Sequence, residues 1–293
     1  MTSDSTEAQT RRDSDPADIP DLILRLTALV LLLRPLDLWW ACAAVSSVAG
    51  LALLFLRVRR TAWTWLFLAA VIGAHIVAVW PAPDNHIYLL AYWCLAIGLA
   101  LLTSTPGLTL AAGSRALIGA AFTLAIVWKT VLSPDYLDGR FFRVTLLTDD
   151  RFADAVMLFG GLTAADIEDA RAFLRPLPEG AQLADGYWDG EPFRLRLFAA
   201  MVSWGGLALE GLIAVTSLLP LRGRAALARH AGLLLFCATT YALAPVAGFG
   251  WLLATMGLAQ CAPHQRTLEA AYVSVYVLIM LYADIPWASL LLQ

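Results

Sequence analysis

Apolar runs recur along almost the whole chain, separated by short polar breaks, and a helix needs roughly 20 apolar residues to cross about 30 Å of hydrocarbon. The first run of that kind is Leu38 to Leu56, LWWACAAVSSVAGLALLFL, opened by a tryptophan pair and stopped by Arg57, Arg59 and Arg60. Ala62 to Trp80 follows and ends at the loop PAPDNH, and Ile87 to Thr103 returns. TSTPGLTLAAGSR then reads as a turn closing at Arg115, after which Ala116 to about Leu132 forms the next helix. Leu195 to Leu221 is a span with Glu210 near its middle, and Leu268 to Leu292 is the last, with Asp284 next to Pro286 near its end. Two runs do not fit a single crossing. Leu22 to Leu33 is short and reads as an interfacial or tilted helix. Ala231 to Gln260 is long and contains Pro245, Gly248 and Gly250, which predicts a kinked helix or a helix plus a re-entrant piece.

Two stretches interrupt this pattern. Residues 1–20 are polar and acidic, without the apolar core of a cleavable signal, and read as a disordered tail. Residues 134–195 carry charges of both signs. Within them Thr163 is an N-cap candidate with Asp166 three positions on, predicting a helix that ends before Pro176 and sets Ile167, Ala170 and Leu174 on one face. The pattern as a whole predicts an all-α integral membrane protein. Residues 21–293 form a polytopic helical bundle of about six to eight transmembrane helices, with 134–195 as one long extracytoplasmic segment. Arginines give the orientation: Arg57, Arg59 and Arg60, then Arg115, then Arg222, Arg224 and Arg229 mark cytoplasmic ends, whereas PAPDNH has no Lys or Arg. The N-terminus is then cytoplasmic and the location the plasma (inner) membrane.

Composition agrees, since 60% of residues are hydrophobic and only 15% charged, against roughly 25% charged in an average soluble domain. Nothing in the net charge of −3 suggests nucleic acid. The four cysteines are far apart and form no CxxC pair, so neither a metal site nor a disulfide framework is expected. GxSxG, P-loop and HExxH motifs are absent, which leaves hydrolase, nucleotidase and zinc-protease readings without support.

One residue stands apart chemically. Of 20 Lys+Arg residues, Lys129 is the only lysine. A guanidinium keeps its proton in a protein, whereas a lysine amine held away from water can release one and act as a base. The competing explanation is a snorkelling cation at a helix end, a role arginine fills equally well. His86 and Asn85 fall on the same side of the membrane as Lys129, so an imidazole and an amide can meet it. His75 lies inside the second span. Glu210 in mid-span calls for a partner inside the bundle, with Arg115 and His75 as candidates.

At Asn85-His86-Ile87-Tyr88-Leu89 the chain resembles the HTTM (horizontally transferred transmembrane) family, which contains the membrane domain of vitamin K-dependent gamma-carboxylase. The next helix adds to the resemblance. Arg115, Lys129 and then Tyr136-Leu137-Asp138-Gly139 are similar to that family's arginine, lysine and Trp-x-x-Gly run, with Tyr136 in place of the tryptophan. The resemblance implies an outward-facing pocket for a quinone or hydroquinone, vitamin K-like, or another isoprenoid lipid. Lys129 corresponds in it to the base that deprotonates the quinol, His86 is a second catalytic candidate, and Asn85 and Tyr88 line the pocket with Arg115, Tyr136, Glu210 and His75. The alternative class is a non-enzymatic lipid-binding subunit that docks a protein partner through 134–195. A proton-coupled transporter using Glu210 is a third.

Overall fold

A computed structural model describes residues 18–81, 84–174, 192–221, 223–243, 246–262 and 264–284. The expected tail over residues 1–17, Pro245, Pro286 and the 175–191 part of the long polar segment lie outside these. All regular elements among the described residues are helical. Three helical stretches are long and apolar enough to cross a membrane: Pro106–Leu132, Phe193–Leu218 and Ala225–Leu243.

The first helix, α1 (Asp21–Leu33), is no surface helix. Ile23, Leu24, Thr27, Ala28, Val30 and Leu31 are all buried in it, and it packs against α2 (Trp39–Leu54). Its one polar core residue is satisfied, because Trp93 Nε1 donates to Thr27 Oγ1 at 3.0 Å. Its N-terminal end is fastened by charge: Asp21 receives Arg59 and Asp18 receives Arg60. A 13-residue apolar run looks interfacial when its flanks are unknown; here those flanking acids hold it inside the bundle.

Helices α3 (Ala62–Ala78) and α4 (Asn85–Leu101) form the closest pair in the bundle. The next helix corrects the sequence reading. Only Thr103–Thr105 of TSTPGLTLAAGSR turn the chain; from Pro106 on it is the first part of α5 (Pro106–Val127), so Arg115 sits well inside that helix. Pro106 occupies the first helical position, where its missing N–H costs nothing and its fixed φ suits the helix. A five-residue π-helical segment, Trp128–Leu132, extends α5 to Pro134. Proline ends the rod, since it can neither donate nor fit against the preceding turn.

The 134–174 segment is built from short pieces. Gly139, at φ 80°, turns the chain between the Pro134–Leu137 turn and α6 (Arg140–Thr148), a backbone conformation that favours glycine. The helix expected at Thr163 is α7 (Ala164–Leu174). Thr163 and Asp166 exchange bonds there: Asp166 accepts from the Thr163 N–H at 2.8 Å and Thr163 Oγ1 accepts from the Asp166 N–H at 3.2 Å, a reciprocal cap of the first turn. Ile167 and Ala170 are buried as the spacing predicts, but Leu174 is 39% exposed.

Their partner is α8 (Phe193–Leu218), 26 residues long and therefore about 39 Å. Its first turns contribute Leu195, Phe198 and Ala199 to a small core with Leu146, Leu147, Phe152, Val156, Leu162, Ile167 and Ala170. Its last turns belong to the large bundle core, which contains Ile213 and Ala214. One helix thus serves two cores. Antiparallel packing on α5 is close: a Cβ on Gly119 would fall 2.7 Å from Leu218 Cδ2.

The long run 231–260 divides into α9 (Arg224–Leu243) and α10 (Ala247–Leu258), two helices packed on each other, so of the two expected forms it is a helix plus a second, shorter piece and not one kinked helix. At 12 residues, α10 is about 18 Å long and too short for a full crossing. It packs instead on α1 and on α11 (Arg266–Asp284).

Candidate functional site

Where the two cores meet, α5, α8 and α9 leave a cavity of about 550 Å³. Its walls are apolar and aromatic, with Phe142, Phe152, Phe159, Phe198 and Phe236, and Gly205 and Gly206 leave room on the α8 side. The polar groups are few: Lys129, Glu210, Tyr136, Thr239 and Thr240. That composition and size suit a mostly apolar ligand with one polar end.

The two charged residues are partners. Lys129 Nζ donates to Glu210 Oε1 at 2.5 Å, so the partner of Glu210 is neither Arg115 nor His75. Lys129 keeps 22% of its side chain exposed and Glu210 8%. The second carboxylate oxygen, Oε2, is buried and accepts nothing. Leaving such an oxygen bare costs about 1–3 kcal/mol, which a ligand donor entering the cavity would recover. Local sequence explains the placement. The π-helical segment carries Lys129 at the end of α5, and the antiparallel register of α5 on α8 brings Ile126 beside Gly211 and Tyr136 beside Gly206. Lys129 falls between those contacts and meets Glu210.

Tyr136 closes the third side. Lys129 Nζ lies 4.9 Å from its ring centroid, within the range of a cation–π contact. Burial first, and then the Glu210 carboxylate, push the Tyr136 hydroxyl well above its ordinary range. It therefore remains an O–H donor facing a site with a spare acceptor. Tyr136 stacks edge-on with Phe142, ring centroids 5.4 Å apart, which fixes its plane.

The remaining sequence candidates lie elsewhere. Asn85, His86 and Tyr88 open α4 and do not line the cavity. His86 Nδ1 is 3.8 Å from Asp84 Oδ2, and the Tyr88 ring meets Trp80 edge-on at 6.4 Å. His75 is fully buried in α3 with neither ring nitrogen bonded. Arg115 is 14 positions before Lys129, about 21 Å along a helix. Sequence reasoning missed Thr239 and Thr240 on α9 and the phenylalanines of 142–159. A signal existed for the latter, because Phe141, Phe142, Phe152 and Phe159 recur in a segment otherwise rich in charge, which is unusual for an exposed loop.

No family model, curated protein or solved structure matches this chain.

Proposed function

We propose that the chain is a multi-pass protein of the plasma membrane that binds an isoprenoid quinone or a related lipid in the cavity, with its polar end at Lys129, Glu210 and Tyr136. The observation that carries this reading is the bare Glu210 Oε2 beside the chain's only lysine, inside a cavity otherwise lined by aromatic and aliphatic groups. The membrane setting is supported by the four shorter apolar helices that accompany the three long ones. Exposed tryptophans at helix ends add to it: Trp39, Trp80 and Trp128 at one end and Trp63 at the other, the positions of interfacial belts. Arginine placement sets the 134–174 segment and the cavity on the outer side. The NHxYL pattern and the helix-end lysine support a relationship to the HTTM family.

A bound quinol would supply a hydroxyl proton and reducing electrons. In this reading Lys129 passes a proton to Glu210 Oε1, turns its lone pair from Oε1 to the ligand, and accepts the proton of the bound hydroxyl. Tyr136 donates to the oxygen left behind, and the phenylalanine walls exclude water. The closed Lys129–Glu210 contact equally supports binding without turnover, in which a charged pair holds a lipid head group and takes no proton. Lys129→Arg separates the two: binding survives this exchange and proton transfer does not.

The test is organic extraction of purified full-length protein followed by mass spectrometry. Wild type should retain a quinone or isoprenoid lipid. Gly205→Ile, which adds bulk where a Cβ meets nothing within 4 Å, should retain at least about tenfold less. Equal retention by both proteins, or no lipid above background in wild type, would sink the proposal.

A further inference from the structure

At the opposite end of the bundle from Lys129, four helices converge on a group of polar side chains that contains no carboxylate bonded to either of its arginines. Ser114 Oγ on α5 donates to the Met256 carbonyl at 2.5 Å, and Gln260 Nε2 donates to Ser114 Oγ at 3.2 Å. His230 Nδ1 on α9 lies 2.9 Å from the Tyr272 hydroxyl of α11. The packing beneath is tight, since a Cβ on Gly257 would fall 2.2 Å from the Tyr272 ring. The residues adjoining Ser114 and His230 are Arg115 and Arg229, and the charge of Arg115 acts on Arg229.

Arg229 is only 7% exposed, yet its Nε and Nη1 have no hydrogen-bond partner. A buried guanidinium with two empty donors beside a second cation is unfavourable on both counts, because burial removes its water and Arg115 repels it. Glu269 reaches Cys261 electrostatically but is paired with Arg266 at 3.1 Å. Elsewhere in the bundle a buried arginine is satisfied fully, as Arg59 is. What is missing at Arg229 is an acceptor: a compact anion on the edge shared with Nη2 would take up one of the two empty donors and the charge.

We infer that Arg115 and Arg229 form a binding site for a phosphate oxyanion, held by the planar fork of Arg229 and the second charge of Arg115. Phosphate matches that fork in two-point geometry. Two sources carry this group, the head group of an anionic phospholipid and free inorganic phosphate. The inference needs no ligand in the Lys129 cavity.

Native mass spectrometry of the full chain with phosphatidylglycerol against phosphatidylcholine, together with melting in inorganic phosphate against chloride, tests it. Preferential retention of phosphatidylglycerol identifies the lipid source; a phosphate-dependent rise in melting temperature identifies the free ion. Either must fall by at least about tenfold in apparent affinity in Arg229→Gln. If that variant does not fold, Arg115→Gln, at a half-exposed position, must show the same loss. No preference for either probe, or a preference that both variants keep, overturns the site. Lipid extracted from the cavity is read separately, so each assignment can fail without the other.

Discussion

Two buried ion pairs in this protein share their chemistry and differ in how completely they are bonded. Arg59 gives Asp21 two bonds, Nε to Oδ1 at 2.5 Å and Nη2 to Oδ2 at 2.9 Å, and its Nη1 reaches the carbonyls of Ala52 and Leu53, each at 3.4 Å. Every lobe of both groups is occupied. Lys129 gives Glu210 one bond, and the second oxygen is buried without a partner. The closed pair is a fastening that holds α1 against the chain following α2. The open pair is an incomplete polar centre, which the proposed ligand would complete. A buried charge by itself therefore says little about function; what separates fastening from site is the number of lobes left empty and whether a cavity adjoins them.

The sharpest way to break this contrast is Arg59→Leu. Removing one partner of a fully bonded buried pair costs about 3–5 kcal/mol, so denaturant unfolding should show a loss of that size and α1 should loosen first. Lys129→Met should cost less, about 1–3 kcal/mol, because the pair it breaks is held by one bond, yet it should abolish lipid retention. Adding Glu210→Gln to it should restore most of the stability and none of the retention. If Lys129→Met destabilised as much as Arg59→Leu, the distinction between the pairs would be lost.

The smallest effect belongs to the outer segment. Asp149 accepts from the Arg151 N–H and guanidinium, and the guanidinium bond is the main reason its carboxyl sits below its usual range. A lowered folded value means the contribution is present above the ordinary carboxylate range and disappears as pH falls through the folded value. Asp149 and Arg151 are partly exposed, so Asp149→Asn should cost no more than about 1 kcal/mol at neutral pH. Hydrogen exchange over 146–157 should show that difference at pH 7 and lose it under strong acid.

Much of the bundle was legible because hydrophobic run length carries the information: α2, α3, α4 and α8 fall within a few residues of their expected bounds. The errors have physical causes. Gly107, Gly113 and Ser114 made the start of α5 look like a turn, but a Cβ on Gly113 would fall 3.8 Å from Ala96 Cβ and Ser114 is bonded to α10, so tertiary contact overrides weak local propensity. Placing α1 needed the Asp21–Arg59 pair, which spans 38 positions. At the site, Lys129 announced itself by being the only lysine, and Glu210 by sitting in an apolar run. Their pairing did not, because it depends on the register of α5 against α8 and on the π-helical turn at Trp128. The cavity was hidden for the same reason: Tyr136, Phe142, Phe152 and Phe159 of its wall come from a polar segment whose own core includes residues of α8.

That shared helix has a mechanical consequence. The outer core grips α8 near Phe198 and the bundle grips it near Ile213, while the cavity opens between these two grips at Gly205, Gly206 and Glu210. Its width thus depends on the stretch of one continuous helix that joins the two cores, and that stretch carries a glycine pair. Were a guest to wedge the aromatic wall outward, the 134–174 segment would move with its end of the helix, so its tilt would report occupancy of the cavity.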